Sequence, residues 1–559
     1  MSELGTEFES EEPTAAELPE EPPAPEPQVQ AALPRVKRLD TRTTIERLRE
    51  FHLTDTLNSW LITLGITALA FITRIVNLGY PKELVFDETF YAKDAWTLVH
   101  LGYESTWPDN TDDVVNNAII AGDVDLYSTD PSYVVHPPLG KWLIGAGESV
   151  FGMNPFGWRI ASCVFGTLLI LITIRLGRRV ARSTFIGALA GLLLCFDGLE
   201  FVMSRVALLD IFQATFGTAA VLACVVDRDA NREFLARHLS KNGLKDLGGE
   251  FGPYHFFRPW RIVAGLLFGC AIGVKWNSVY LLAVMGLLSV WWDYTARKLA
   301  GAEGKALRAL FIDGLPAFFY MVGTAVIAFL STWIGWFVTS GGYYRDWAIK
   351  NPDDPLAKAL GDPWASWVHY QVEIYKFHTG GLNDATHAYD ANPAMWPFMI
   401  RPTAMFAEND IAAGTDGCPV DAENCLRVVN GMGTPLLWWV ATVALLICAI
   451  WWLGDGDWRF GLPFLATMAM YVPWFQYTDR PLFFFYAVNM IPFMCVGAAM
   501  MLGLIIGPRD GPKRLIRTVP AGAIVALIVA NFTWIYPVLT GELLTRAAWL
   551  ARMWFRSWI

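Results

Sequence analysis

Charged residues are scarce in this chain, and that scarcity decides its broad class. Only 17% of its 559 residues are charged, whereas an average soluble domain has about 25%. Its hydrophobic content is 54%, above the roughly 45–50% of soluble domains, and the apolar residues lie in long runs. A run of about 20 apolar residues can cross a bilayer as a helix. The composition therefore excludes an ordinary soluble protein and indicates a helical membrane protein.

The sequence also lacks the motifs of nucleotide-dependent and zinc-dependent enzymes. It has no Walker loop, no G-x-G-x-x-G signature between a strand and a helix, no zinc-ligand spacing and no serine-triad motif. These absences argue against an ATP-driven pump and against an enzyme that uses a nucleotide sugar. We therefore predict no required cofactor, no metal ligands and no nucleic-acid partner, while leaving a divalent metal open.

Lysine and arginine are missing from residues 2–32, which are rich in Glu, Pro and Ala. Such a segment cannot bury enough apolar surface to offset its ordering entropy, so it is predicted to be disordered. Basic residues follow, from Arg35 to Arg49, and basic segments beside a membrane helix stay in the cytoplasm. Residues 1–50 are thus predicted to form a disordered acidic cytoplasmic tail with a basic juxtamembrane end, and residues 51–559 a transmembrane domain.

Eleven apolar segments are predicted as membrane spans. They cover residues 59–78, 158–179, 184–203, 207–226, 260–274, 276–295, 313–338, 435–454, 459–476, 482–506 and 519–539. The connections predicted to be cytoplasmic carry most of the Lys and Arg, so the N-terminus is predicted to be cytoplasmic and the C-terminus non-cytoplasmic. The two long connections, residues 79–157 and 339–434, are then outer loops, and pieces of each are predicted to lie as interfacial helices.

An Asp–Glu pair, Asp87 and Glu88, stands between aromatic residues near the start of the first outer loop. Burial raises the pKa of a carboxyl group, which suits it to accept a proton near neutral pH. The pair is therefore a candidate catalytic site. An ordinary solvated pair of loop carboxylates would have the same spacing, and the sequence leaves that alternative open.

Charged residues also lie at or near the outer ends of predicted spans. They are Arg159, Arg205, Asp210, Lys275 and Arg480. Charges at membrane depth are costly and commonly line functional cavities. The four cations are candidate ligands of a lipid phosphate, because negative charge that develops on a leaving group needs fixed donors. The alternative for Arg159 and Arg205 is that they only reach the lipid headgroups.

The outer loops hold further candidates for binding an acceptor or a sugar. His136 begins the run His136–Lys141, in which two prolines fix the backbone before a short apolar stretch. A structural histidine at the start of that helix is the alternative. His387 and Trp396 belong to a second run rich in Pro and aromatics, which could bind a sugar or pack at the membrane interface. Asp210 and Trp276 complete this group.

Two of the eight cysteines, Cys418 and Cys425, lie in a polar stretch of the second outer loop. If that loop faces an oxidising compartment, a disulfide between them is favoured over two free thiols. The other six cysteines lie in or beside apolar spans and are predicted to be small core residues.

In this order and within this topology, several short runs resemble the protein O-mannosyltransferase family in its bacterial branch. The runs are Phe86–Glu88, His136–Lys141, Arg159, Val274–Trp276, Asn392–Pro393, Trp396–Pro397 and Arg480–Phe483. The resemblance extends from about residue 59 to the C-terminus. It implies an all-α integral membrane protein of the GT-C type, in which a transmembrane bundle carries catalytic outer loops.

The resemblance also implies an activity. The donor would be a polyprenyl monophosphate mannose, and the acceptors would be Ser and Thr hydroxyls of exported, still extended polypeptides at the cell membrane. The Sec export channel is a further candidate partner. Transfer would invert the anomeric carbon, with Asp87 as the base and Glu88 supporting it or binding the acceptor. Arg159 and Lys275 match positions associated with the active site and the donor phosphate.

One departure from the family concerns the second outer loop. Eukaryotic members carry a soluble β-trefoil-type domain there, for which residues 339–434 are too short. Two other functions stay open. Another GT-C enzyme could transfer a lipid-linked sugar to a lipid or cell-wall glycan. A transporter or flippase could use the intramembrane charges as a substrate path, although charges gathered at one face argue against it.

Overall fold

A computed structural model of the protein describes residues 41–50, 56–109, 113–383, 385–508, 511 and 513–559. The described residues from Thr44 onward belong to one unit. Most of the predicted tail, residues 1–40, lies outside the described residues. The end of that predicted tail includes a short helix, α1 (Thr44–Leu48), whose Leu48 is buried against Leu235 and Leu239.

The first half of the chain forms ten further helices. They are α2 (Thr56–Ile75), α3 (Glu88–Leu101), α4 (Val114–Ile120), α5 (Leu139–Phe151), α6 (Pro155–Ala181), α7 (Thr184–Cys195), α8 (Gly198–Met203), α9 (Asp210–Lys241), α10 (Pro259–Val274) and α11 (Ser278–Leu299). Local sequence defines several of their ends. The Asn154 side chain accepts hydrogen bonds from the Phe156 and Gly157 amides at the start of α6. Pro155, also in this first turn, has no N–H group that would need an acceptor.

The second half adds twelve helices to the described structure. They are α12 (Ala309–Ile312), α13 (Gly314–Phe318), α14 (Thr324–Thr332), α15 (Ile334–Val338), α16 (Trp347–Lys350), α17 (Pro355–Leu360), α18 (Trp364–Lys376), α19 (Pro435–Asp455), α20 (Trp458–Tyr471), α21 (Ile491–Ile506), α22 (Arg514–Thr540) and α23 (Arg546–Leu550). A 3₁₀ turn (Glu303–Arg308) precedes α12, and a π turn (Phe319–Gly323) lies between α13 and α14. Together they make α12, α13 and α14 parts of one long helical stretch. Further 3₁₀ turns follow at Pro393–Phe398, Val472–Gln476, Phe484–Asn489 and Arg556–Trp558.

Seven helical stretches in the described part of the chain are long and apolar enough to cross a membrane. They cover residues 56–75, 155–181, 210–241, 278–299, 303–332, 435–455 and 514–540. Shorter apolar helices cover residues 184–195, 259–274 and 491–506. The predicted helical membrane bundle is confirmed, whereas the number of eleven crossings stays a prediction. The predicted span 482–506 becomes regular helix only at Ile491, after the 3₁₀ turn at Phe484–Asn489.

The predicted outer loops are largely folded. Residues 79–157 contain α3, α4 and α5, and residues 339–434 contain α16, α17 and α18. The second loop also contains two antiparallel strands that were not predicted, β1 (Thr403–Ala412) and β2 (Asn424–Gly431). A short third strand, β3 (Leu544–Thr545), follows α22 and pairs with β2. The membrane bundle is therefore helical, but its outer surface includes a small sheet with the order β1-β2-β3.

The packing of the first outer loop onto the bundle prepares the site. Helix α3 packs against α5, α5 packs against α6, and α6 packs against α9. Close approach requires glycine at two of these contacts. A Cβ on Gly145 of α5 would lie 2.7 Å from the Ala95 carbonyl oxygen, and one on Gly157 of α6 would lie 1.9 Å from the Gly152 carbonyl oxygen. The start of α3 is thereby held against the outer end of the bundle.

Candidate active site

Arg205 caps the first span. Its guanidinium donates hydrogen bonds to the carbonyl oxygens of Arg74, Val76 and Asn77, at 2.7, 2.8 and 3.1 Å. The last carbonyls of a helix have no partner within the helix, so these bonds satisfy the end of α2 and fix the exit of the chain. Arg205 was predicted to bind a lipid phosphate. In this structure its Nη groups donate to the backbone instead, and the phosphate contact stays a prediction.

Arg159 holds the chain that follows. Its Nη1 donates to the Pro81 carbonyl at 2.8 Å and its Nη2 to the Glu83 carbonyl at 2.9 Å. Its Nε and Nη2 also donate to the two carboxylate oxygens of Glu88, each at 2.8 Å. The side chains of Arg159 and Glu88 are fully buried. The described contacts of Arg159 thus tie the turn before α3 to Glu88, and its predicted contact with the donor phosphate stays a prediction.

Glu88 is equally occupied. Besides Arg159, its carboxylate accepts hydrogen bonds from the backbone amides of Val85 at 3.0 Å and Ala207 at 2.8 Å. These bonds tie the start of α3 to its preceding turn and to the chain between α8 and α9. Of the two predicted roles for Glu88, support of Asp87 fits these contacts, whereas acceptor binding does not.

Asp87 differs from its neighbour. It immediately precedes α3, is half-buried, and its carboxylate does not cap the helix. Burial raises the pKa of the Asp87 carboxyl to about 6, while the positive charge of Lys275 opposes the rise and the negative charge of Asp210 adds to it. The preceding Phe86 has a φ of +50° and so turns the backbone sharply before the helix. Asp87 is thus a rigidly placed carboxylate with free acceptor oxygens.

Lys275 lies opposite, in the break between α10 and α11. Its Nζ donates to Asp210 Oδ2 at 2.7 Å and lies 4.9 Å from the centre of the Tyr486 ring. The Gln213 side chain donates to the Lys275 carbonyl and, at 2.8 Å, to Ser278 Oγ, which holds the two helix ends together. Asp210 was predicted to bind an acceptor or a sugar, and here it is the ion-pair partner of Lys275.

Arg480 contacts one of two stacked histidines, His378. Its Nη1 donates to His378 Nδ1 at 3.3 Å, and His378 Nε2 donates to the Val135 carbonyl at 2.8 Å. Burial lowers the pKa of His378 to about 4, so the ring is neutral and its proton lies on Nε2. The His136 ring stacks on His378 with centroids 5.2 Å apart, and burial lowers the pKa of His136 well below its usual range. Within the described residues, the Nε of Arg480 is buried without a hydrogen-bond partner.

Part of this set lines a cavity of about 220 Å³, of which Asp87 is not a lining residue. Its walls are aromatic, histidine and cationic side chains from both outer loops, from the start of α11 and from the connection between α20 and α21. The lining residues include His136, Lys275, Trp276, Tyr280, Tyr375, His378, Trp474, Tyr477, Arg480 and Tyr486. The cavity therefore brings together His136, Lys275, Trp276 and Arg480 from the predicted set. We call it the cation cavity.

Two other predicted residues lie outside the cation cavity. The His387 ring contacts Phe86 and Phe483, with centroid distances of 6.0 and 4.8 Å, and so supports the turn before Asp87. Trp396 is fully buried, and its Nε1 donates to the Ala391 carbonyl at 2.9 Å. In this structure the Trp396 ring is packed in the core, and its predicted contact with a sugar stays a prediction.

The cysteine pair lies in the small sheet. Cys418 and Cys425 are joined by a disulfide that closes the connection between β1 and β2. Both residues are buried with Ile411. The bond therefore stabilises the sheet and is not part of the cation cavity.

Three side chains of the site were not singled out from the sequence. Tyr91 is buried on α3, its pKa is raised by burial and by the charge of Asp87, and its ring lies 6.3 Å from that of His136. Tyr486 lies beneath Lys275, and His378 orients Arg480. The aromatic run that ends at Tyr486 was visible, but no sequence signal joined His378 to Arg480 across about 100 residues.

Metal ligands are not grouped in the described ranges. No three His, Cys, Asp or Glu side chains there lie together as a site that could hold a metal ion.

Comparison with known proteins gives two family matches. Residues 65–239 match the profile described as dolichyl-phosphate-mannose-protein mannosyltransferase. Residues 363–502 match the C-terminal four-transmembrane region of protein O-mannosyltransferase.

Curated relatives match over nearly the whole chain. The polyprenol-phosphate-mannose–protein mannosyltransferase of Mycobacterium tuberculosis is 34% identical, over 91% of this chain and 94% of that protein. The enzyme of the same name from Corynebacterium glutamicum is 32% identical, over 88% of this chain and 92% of that protein.

A solved structure has the same fold. The Saccharomyces cerevisiae protein O-mannosyltransferase Pmt1–Pmt2 complex bound to the sugar donor matches with a TM-score of 0.68 and 12% identity. The match covers 92% of this chain and 94% of that one.

Proposed function

Because this chain belongs to the protein O-mannosyltransferase family, we propose that it transfers mannose from a polyprenyl phosphate mannose to Ser and Thr hydroxyls of exported proteins. The fold is of the GT-C type. The family relatives are named for this donor and for protein acceptors, which supports a mannosyltransferase here. The chain is a multi-span membrane protein, and we propose that the site faces the non-cytoplasmic side of the cell membrane.

The observation that carries this proposal is the Asp87 carboxylate beside Lys275. It is half-buried, has no hydrogen-bond donor among the described side chains, and has a pKa raised to about 6. A base with a pKa near the working pH accepts a proton efficiently in the transition state. Its neighbour Glu88 has the opposite character, because four hydrogen bonds hold it in place. We therefore propose Asp87 as the base and Glu88 with Arg159 as its positioning residues.

The reaction has a simple balance of atoms. The acceptor hydroxyl oxygen attacks the anomeric carbon of mannose, and the bond from that carbon to the phosphate oxygen breaks. Asp87 takes the hydroxyl proton, and the electron pair of the broken bond leaves with the polyprenyl phosphate. Attack from the face opposite the leaving group inverts the anomeric centre, as in other single-displacement sugar transfers.

Lys275 and Arg480 are the cations we propose for the leaving phosphate. Both line the cation cavity, and Arg480 keeps an unpaired buried Nε. Fixed cationic donors stabilise negative charge as it develops on a leaving group. A lipid phosphate is already a fair leaving group, so the proposal includes no required cofactor. Trp276 and His136 on the same cavity wall are proposed to contact the mannose or the acceptor.

The main competing function is transfer to a lipid or cell-wall glycan by the same chemistry. A transporter is a weaker alternative, because the candidate charges gather at one end of the bundle and not at its middle. The Sec export channel is proposed as a partner only because the acceptors must be extended when they reach the site.

One experiment decides among these functions. Purified enzyme is incubated with radiolabelled polyprenyl phosphate mannose and, in parallel, with Ser/Thr peptides and lipid-linked glycans, with and without EDTA. We expect label on the peptides only, in the anomeric form opposite to that of the donor. Label on glycans alone would favour the competing transferase. Movement of the donor across liposomes without a new glycosidic bond would favour the transporter.

A further inference from the structure

A second cavity lies on the outer surface, on the other side of the turn that precedes Asp87. It has a volume of about 620 Å³. One wall is the chain that leaves the first span, including Tyr80 and Glu83. The second wall is the β1–β2 sheet, including Phe406 and Glu408, and the floor is the end of α22. We call this cavity the outer groove. The mechanism proposed above does not use it.

The chemistry of the outer groove does not suit an anion. Three carboxylates line it, from Glu83, Glu408 and Glu542. Two of its three cations are occupied, since Arg427 donates to Glu408 at 2.8 Å and Arg205 donates to backbone carbonyls, and the third is the exposed Lys82. A phosphate headgroup would meet these carboxylates without an open pair of guanidinium groups to bind it.

Its chemistry does suit an extended polypeptide. The Tyr80 and Phe406 rings meet edge to face with centroids 6.5 Å apart and form an aromatic surface inside a rim of mixed charge. Aromatic surface with dispersed polar groups binds peptide backbone and side chains well. The exposed carboxylates of Glu83 and Glu542 outnumber the one exposed lysine of the rim, Lys82, and so favour basic residues of the peptide over acidic ones.

The outer groove is also tied rigidly to the proposed base. Glu83 lines the groove, and Asp87 follows it by four residues, so their Cα atoms are at most about 14 Å apart. Arg159 bonds both the Glu83 carbonyl and the Glu88 carboxylate, which fixes that separation. An extended peptide covers about 3.3 Å per residue. A chain lying in the groove beside Glu83 would therefore reach Asp87 within about four residues.

We propose that the outer groove binds the acceptor polypeptide about four residues to one side of the Ser or Thr that receives mannose. The inference rests on the proposed function and adds an acceptor subsite to it. The sheet wall, built by β1, β2 and the disulfide between them, supplies the contact surface.

The test is a peptide-length series with purified full-length enzyme. Peptides carry one Thr and extend on either side by one to eight residues. For the native enzyme we expect kcat/KM to rise when one side passes about four residues. Phe406→Ala should remove that gain, lowering kcat/KM for the long peptide about tenfold, and should leave the short peptide and the KM for the donor unchanged.

Two further variants supply a matched control and a test of the rim charge. Phe398→Ala removes an exposed phenylalanine of the same outer loop that does not line the groove, and should behave as the native enzyme. Glu542→Lys changes an exposed rim charge without disturbing the core. It should lower kcat/KM two- to fivefold for a peptide with Lys at the fourth position, and raise it similarly for one with Glu there.

The outcomes separate cleanly. Equal loss for short and long peptides in Phe406→Ala, or no charge effect in Glu542→Lys, would overturn the groove assignment. Loss of activity that anionic phospholipid restores would reassign the groove to a lipid headgroup. No transfer by the native enzyme to any peptide would instead count against the proposed function itself.

Discussion

Two clusters of buried charge share helices α9 and α11 and differ in how completely they are bonded. One contains Asp210 and Lys275 at the start of these helices, beside Asp87 and the cation cavity. The other contains Asp227, which lies about 25 Å farther along α9. Both clusters have charges of both signs and little exposure. The comparison shows what separates a structural cluster from a reactive one.

The far cluster is closed. Arg258 donates to both oxygens of Asp227, at 2.9 and 2.6 Å, and to Asp293 at 3.1 Å. Arg261 donates to the same two carboxylates at 3.0 and 2.9 Å, and Asn231 adds a bond to Asp293 at 2.8 Å. The four charged side chains are at most 3% exposed. Buried charges bonded in this way bind one another and leave nothing for a ligand.

The charged side chains of the near cluster have fewer hydrogen bonds. Lys275 has a single carboxylate partner, Asp87 accepts no side-chain hydrogen bond in the described residues, and Arg480 has an unused buried Nε. The Lys275 and Arg480 side chains line the cation cavity. The difference suggests that mutations in the near cluster should change turnover, whereas mutations in the far cluster should change stability.

The largest effect is expected from Asp87→Asn. An amide of the same shape cannot take the acceptor proton, so peptide mannosylation should fall by about 10²–10⁴-fold, the usual contribution of a general base. The thermal midpoint in detergent should stay near that of the native enzyme. Asp123→Asn, which changes an exposed carboxylate of the same outer loop, is the control. Activity of Asp87→Asn close to that of the control would remove Asp87 from the role of base.

Arg258→Met tests the closed cluster. It leaves Asp227 and Asp293 with one cation between them in a buried site, and breaking such a pair costs about 3–5 kcal/mol of folding stability. We expect a much lower thermal midpoint, with turnover per folded enzyme almost unchanged. Scanning fluorimetry and active-site titration with a labelled donor measure the two quantities. A stable but inactive variant would contradict the division between the clusters.

Lys275→Met and Arg480→Met test the near cluster one cation at a time. Each should lower kcat by about 10²–10³-fold, as loss of one fixed donor to a developing negative charge does elsewhere. Arg480→Met should change stability little, whereas Lys275→Met leaves the buried Asp210 without its ion-pair partner and should lower the thermal midpoint as well. Lys350→Met, at an exposed lysine of the second outer loop, is the matched control. Unchanged kcat in both variants would show that the phosphate leaves elsewhere.

The smallest expected effect is a shift in the pH profile. Asp87 accepts a proton only when ionised, so kcat/KM should be steady above a pH of about 6 and fall about tenfold per pH unit below it. The negative charge of Asp210 raises the pKa of Asp87 and the positive charge of Lys275 lowers it. Asp210→Asn should therefore move the inflection to lower pH, and Lys275→Met to higher pH. Shifts of the same sign in both variants would rule out this electrostatic coupling.

The class of fold could be predicted from the sequence because each membrane helix needs a long run of apolar residues. The sequence did not predict the small sheet. Strand β1 is interrupted by irregularities between Ala404 and Phe406 and between Glu408 and Ile411, and these break the alternation of exposed and buried residues that identifies a strand. Its third strand comes from beyond α22, which no local pattern indicates.

The site was predictable to a similar degree. Lys275 and Arg480 were selected as charges beside outer span ends, and both line the cation cavity. Arg159 and Arg205 met the same criterion but bond to backbone carbonyls at the end of α2 and in the turn after it. Sequence position gives the depth of an arginine in the membrane, but it does not tell whether the chain folds back to supply carbonyl oxygens.

Phe86 carries a consequence for how this protein can vary. Its φ of +50° costs a non-glycine residue about 1–2 kcal/mol, and its ring recovers that cost against Phe483 and Phe485, each 5.7 Å away. Glycine would relieve the backbone and release the ring, so stability alone hardly distinguishes the two residues. The rigid turn is what gives Asp87 a single orientation. Phe86 therefore contributes more to the placement of Asp87 than to the stability of the fold.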